Sequence, residues 1–83
     1  MSTDNTITIG CDTHFKVYIN TLLHLSVPRA DLVAMQSWLD KGMFFIEYYC
    51  IHNGTPYTVL SEYYDRDTWA QVLYLIKTNN IFI

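Results

Sequence analysis

Near the middle of the chain an Asn53-Gly54 dipeptide sits between two runs of β-branched and aromatic residues, Met43 to His52 and Pro56 to Tyr64. A two-residue hairpin turn needs positive φ at both central positions, which Asn and Gly adopt at little cost, so this pattern is the strongest short hairpin signal a sequence carries. Such a turn also fixes the register: Cys50 faces Tyr57, Tyr48 faces Val59, Ile46 faces Ser61 and Phe44 faces Tyr63. Strand alternation puts these residues on one side of the hairpin, which reads as core. The reverse side receives Phe45, Glu47, Tyr49, Ile51, Thr58, Leu60 and Glu62, too apolar for an ordinary solvent face.

Upstream, Thr6-Ile7-Thr8-Ile9 alternates polar and apolar and suits a short edge strand ending at Gly10. Asp12 or Thr13 can cap a helix over His14 to Leu25, in which Phe15, Tyr18, Ile19, Leu22 and Leu23 recur at helical spacing. Ser26-Val27-Pro28 reads as a restart, because proline is tolerated in a first helical turn. The second helix carries Leu32, Met35 and Leu39 on one stripe, with Val33 and Trp38 beside it, and stops at Lys41-Gly42. After the hairpin, Asp65 and Asp67 supply capping groups and early negative charge for a third helix with Trp69, Val72, Leu73 and Ile76 on one face, ending near Asn79. The terminal Ile81-Phe82-Ile83 is apolar enough to return to the sheet or pack on a neighbour.

The predicted order is β-α-α-β-β-α. It implies a two-layer α+β fold, with a small antiparallel sheet, the hairpin plus the short edge strand, packed against three helices. Residues 1–5 read as a disordered N-terminal tail and 6–83 as a single α+β domain, since 83 residues build one core and not two.

Composition narrows the function. With 51% hydrophobic and only 16% charged residues, the chain carries surplus apolar surface against a usual charged share of roughly one quarter. Five Lys and Arg at a net charge of −3 are too few to neutralise a phosphate backbone, which argues against nucleic acid as the main ligand. The acidic residues are interleaved with apolar ones and form no block that would mimic DNA. The longest apolar runs, Met43 to Ile46 and Val72 to Ile76, fall far short of the roughly twenty residues that span a bilayer. The opening residues show no basic region, apolar stretch or cleavage site, so the expected compartment is the cytoplasm, where Cys11 and Cys50 would stay free thiols.

Chemistry-bearing constellations are sparse. Cys11, His14, Cys50 and His52 offer two thiols and two imidazoles, the ligand types zinc prefers, although the Cys50–His52 spacing is short for a zinc knuckle. Cys11 at a helix start with His14 nearby could also form an activated thiol. The acids at Asp65 and Asp67 fit capping, and Glu47 with Glu62 forms a diagonal pair without a nucleophile or metal motif beside it. Phosphate-cradling loops, a nucleophile elbow and a paired-histidine helix are missing, and three glycines leave little for any of them.

The feature above background is aromatic loading, with seven Tyr, four Phe and two Trp. Tyr and Trp bury large area while keeping a polar handle, which enriches them at protein interfaces. The doublets Tyr48-Tyr49 and Tyr63-Tyr64 each send one ring to either side of a strand. The sequence therefore predicts no catalysis, cofactor or metal. It predicts a small acidic inhibitor or regulator, of a kind that suits a phage or mobile element, which docks another protein through Phe45, Glu47, Tyr49, Ile51, Leu60 and Glu62. Self-association of that face into a homodimer is the simplest version. The alternative is a small zinc- or thiol-dependent module built on Cys11, His14, Cys50 and His52.

Overall fold

The computed structural model describes residues 5–82. It contains six strands, β1 (Ile7–Cys11), β2 (His14–Ile19), β3 (Leu22–Pro28), β4 (Leu32–Asp40), β5 (Met43–His52) and β6 (Thr55–Tyr63), followed by one helix, α1 (Arg66–Thr78). A single 3-10 turn at Arg29–Asp31 separates the two halves of the strand order. The strands form two three-stranded antiparallel sheets, β1-β2-β3 and β4-β5-β6.

The fold is thus β-rich, and the α+β arrangement with three helices on one small sheet is overturned. The helix expected over 14–25 is instead β2 and β3, joined by a two-residue turn at Asn20-Thr21 with φ of 52° and 69°. The run fits both periods, because Phe15, Val17 and Ile19 alternate as cleanly as Phe15, Tyr18, Ile19 and Leu22 follow a helix. Pairing with β1 decides it, setting Ile7 against Ile19, Ile9 against Val17 and Cys11 against Phe15 on the inward face. The second expected helix is the 3-10 turn and β4. Gly42, predicted to stop a helix, has φ 80° beside Lys41 at 50° and makes the β4–β5 hairpin turn instead. Both roles require a left-handed backbone, so the residue types alone do not separate them.

Two local predictions agree with the structure. The β5–β6 register pairs Cys50 with Tyr57, Tyr48 with Val59, Ile46 with Ser61 and Phe44 with Tyr63, around Asn53 and Gly54 at φ 50° and 79°. The last helix begins after Asp65, whose carboxylate accepts from the Thr68 N–H at 3.1 Å and from Thr68 Oγ1 at 2.8 Å, and its C-cap is Asn79. The short edge strand predicted near Ile7 is present as β1, although it belongs to the first sheet and not to the hairpin's.

The sheets pack face to face through alternate residues. Phe15, Val17, Leu25 and Val27 of the first sheet meet Ile46, Tyr48, Cys50 and Tyr63 of the second, with Val72 and Ile76 of α1 completing one buried cluster. The Phe15 and Tyr48 rings lie 5.6 Å apart across the interior. Side chains buried this fully contribute roughly 1.5–3 kcal/mol each. Helix α1 lies against β1 and also touches β5 and β6. Trp69 pins it there, donating from Nε1 to the Phe45 carbonyl at 3.1 Å while its ring packs on Phe44.

Of the tail predicted at 1–5, residues 1–4 lie outside the described residues. Asn5 donates to Thr68 Oγ1 at 2.7 Å and accepts from Asn20 Nδ2 at 2.8 Å, tying the start of the chain to the helix and to the β2–β3 turn. Ile81 and Phe82 pack against the core cluster, and Ile83 lies outside the described residues. Among the described residues no helix is long and apolar enough to cross a membrane.

Candidate protein-docking face

The inward side of β4-β5-β6 belongs to the core, so alternation sends the other half of each strand outward. From β4 the outward residues are Ala34, Gln36 and Trp38, which pair with Tyr49, Glu47 and Phe45 of β5. From β6 they are Thr58, Leu60 and Glu62, which pair with the same three β5 residues in turn. All six predicted docking residues, Phe45, Glu47, Tyr49, Ile51, Leu60 and Glu62, therefore share this face. None is buried, and Ile51 and Leu60 keep 45% and 50% of their surface exposed.

The face is ordered by its own contacts. Trp38 stacks on Phe45 with centroids 5.3 Å apart and planes 20° from parallel, a broad aromatic step at one end. In the middle, Glu47 Oε1 accepts from Gln36 Nε2 at 2.9 Å and from the Tyr49 hydroxyl at 3.1 Å. Loss of water around the ring, and then the bond to Glu47, push the Tyr49 phenol above its ordinary pKa, so it stays a neutral donor. At the far end Val33, Tyr49, Ile51, Pro56 and Thr58 border a shallow concavity of about 350 Å³. The charged groups of the face, Asp40, Glu47 and Glu62, are all acidic.

The outer face of the other sheet carries fewer rings. There Thr8 pairs with Tyr18, Gly10 with Lys16, Lys16 with Ser26 and Tyr18 with the exposed Leu23, a mixed face on which Tyr18 is the one Phe, Tyr or Trp. Of the two outer sheet faces, that of β4-β5-β6 thus carries three partly exposed rings against one on the other. Sequence reasoning missed Trp38 and Gln36 on the docking face because it placed them on a helix. The signal that could have found them is Lys41-Gly42 read as a turn, which folds 32–40 back along β5.

The zinc or thiol set is spread over three strands. Cys11 ends β1 and His14 begins β2, while Cys50 points into the core with its thiol pushed up in pKa by burial. His52 is engaged elsewhere: its Nδ1 lies 3.2 Å from Asp31 Oδ1, and the Tyr57 hydroxyl donates to Asp31 Oδ2 at 2.6 Å. The Tyr57 bond, and then His52, hold the Asp31 carboxyl below the usual carboxylate range, and the same bond raises the Tyr57 phenol. This trio braces the 3-10 turn against the β5–β6 hairpin. Among the described residues no three His, Cys, Asp or Glu side chains gather as a metal-ligand set. No protein-family model, curated protein or solved structure matches the chain, so the functional reading rests on the geometry of the outer face itself.

Proposed function

We propose that the chain is a non-catalytic protein-binding module, an inhibitor or regulator that docks onto a larger protein through the outer face of β4-β5-β6. The observation that carries this reading is the asymmetry of the two sheets. One outer face mixes Thr8, Lys16 and Ser26 with a single aromatic ring, Tyr18, and the exposed Leu23, whereas the other presents three rings, Trp38, Phe45 and Tyr49, together with Ile51 and Leu60, partly open to solvent. Rigid aromatic side chains on a strand scaffold lose little conformational freedom on docking, which makes them effective anchors. Glu47 is held in place by Gln36 and Tyr49 and can receive a cation without rearranging.

The acidic border of the face supports a partner that presents an apolar patch bordered by Lys or Arg. A homodimer made face to face would set Glu47 and Glu62 of one copy against an equally acidic face, so the docking surface suits a foreign protein better than itself. The two cysteines are free thiols, which suits a reducing, cytoplasmic setting.

The test is affinity capture from extracts of the cells that make the protein, comparing wild type, Tyr49→Asp and Ser26→Asp by quantitative mass spectrometry. Ser26 is exposed on the opposite sheet and serves as the control. At least one protein is expected to be retained by wild type and Ser26→Asp about tenfold or more over Tyr49→Asp, as for loss of a central anchor. Identical capture by all three would remove the face from the mechanism.

A further inference from the structure

We infer that β4 pairs antiparallel with β4 of a second copy, joining two three-stranded sheets into one six-stranded sheet across a two-fold axis. The inference stands apart from the docking of a foreign protein, because it concerns a strand edge and not a sheet face.

Two sheets have four edges, and three of them are blunted. Helix α1 lies along β1. Strand β3 is interrupted where the register shifts around His24, and it ends in Pro28. Strand β6 carries Pro56, which has no N–H to offer, and the charged Glu62. Strand β4 has neither device over most of its length. Its one irregularity is confined to Leu32–Ala34, leaving Ala34 to Asp40 in regular register with β5. Six of its nine residues are exposed, and Asp40 at the very end is its only charge.

The hairpin geometry states which backbone groups are free. Asp40 and Met43 flank the two-residue turn, so that pair exchanges both of its hydrogen bonds. Alternation then turns the N–H and C=O of Met35, Ser37 and Leu39 away from β5. Ser37 is the midpoint of the regular stretch, and a two-fold axis through it sets Ser37 against its own copy and Met35 against the partner's Leu39. Asp40 falls opposite Ala34, so no like charges meet.

The same register explains a groove. Met35, Leu73, Ile76, Ile81 and Phe82, together with Lys77 and Asn80, border a largely apolar depression of about 650 Å³ alongside β4. Leu39, with 58% of its surface exposed, lies on the same side of β4 as Met35. In the paired sheet the partner's Leu39 stands beside Met35 at the mouth of this depression, which gives an exposed leucine a place to be buried. The outer faces of both copies then run on continuously, doubling the docking surface.

The oligomeric state of the purified chain, followed by native mass spectrometry and sedimentation from low-micromolar to millimolar protein, tests this directly. Wild type and Tyr49→Asp are expected to be dimers. Ser37→Pro removes an outward N–H, Leu39→Lys places a charge in the groove, and both are expected to be monomers with an unchanged near-ultraviolet circular dichroism spectrum. The register is checked by oxidation in a Cys11→Ser background. Ser37→Cys brings two thiols onto opposed Cα positions about 5.5 Å apart, within the disulfide range, and is expected to cross-link far faster than Gln36→Cys. A monomeric wild type, a dimer that survives both Ser37→Pro and Leu39→Lys, or one that Tyr49→Asp dissociates would each overturn the inference.

Discussion

Thr21→Gly is expected to stabilise the protein, and the sign of that change separates a hairpin from a helix over 14–25. The described residues contain three two-residue hairpin turns, Asn20-Thr21, Lys41-Gly42 and Asn53-Gly54, with first-position φ of 52°, 50° and 50°. The second position is glycine at Gly42 and Gly54 but threonine at φ 69° in the first turn. A left-handed backbone costs a side-chain-bearing residue roughly 1–2 kcal/mol, and a β-branched one stands at the upper end. Glycine relieves this but adds freedom to the unfolded chain, which returns about 0.5–1 kcal/mol. Thr21 is exposed, so little packing is lost. The net gain is then about 0.5–1 kcal/mol, which for a chain of this size raises Tm by roughly 2–8 °C. In a helix the same substitution costs a few tenths of a kcal/mol, because glycine is the poorer helix former. Thermal and urea unfolding of the two proteins at neutral pH measures the difference. A lower Tm for Thr21→Gly would refute the turn geometry and the strain assigned to it.

Two further predictions concern the interior and the 3-10 turn. The Tyr48 hydroxyl is buried with no hydrogen-bond partner among the described residues, although Ser61 and Tyr63 lie close by and are bonded to each other at 3.2 Å. Tyr48→Phe is therefore expected to raise stability by about 1 kcal/mol in urea unfolding, and a loss of similar size would mean that the hydroxyl is satisfied. Asp31 has its pKa lowered from 3.8 in the folded protein by Tyr57 and then by His52. A depressed folded pKa contributes stability that is present above the unfolded value and lost as pH falls through the folded one. The urea midpoint of wild type should accordingly drop as pH is taken below about 4, whereas Asp31→Asn starts lower at pH 7 and shows a shallower decline. Parallel pH profiles for the two would show that the Asp31 pairing does not survive in solution.

What the sequence determined by itself was local. Asn53-Gly54 set a register in which Cys50, Tyr48, Ile46 and Phe44 point inward, and that register places Phe45, Glu47, Tyr49 and Ile51 together on the opposite face. Asp65 determined the start of α1 because its carboxylate reaches an amide three residues away. Tertiary structure decided the rest, for a physical reason visible in residues 14–40. The apolar positions there satisfy a period of 3.6 and a period of two at once, and Lys41-Gly42 serves a helix end and a hairpin turn equally well. A helix closes its hydrogen bonds within the segment, whereas a strand needs a neighbour that the segment does not contain. Those neighbours, β1 for β2 and β5 for β4, are set by the assembled sheets, and with them came Trp38 beside Phe45 and the free edge at Ser37.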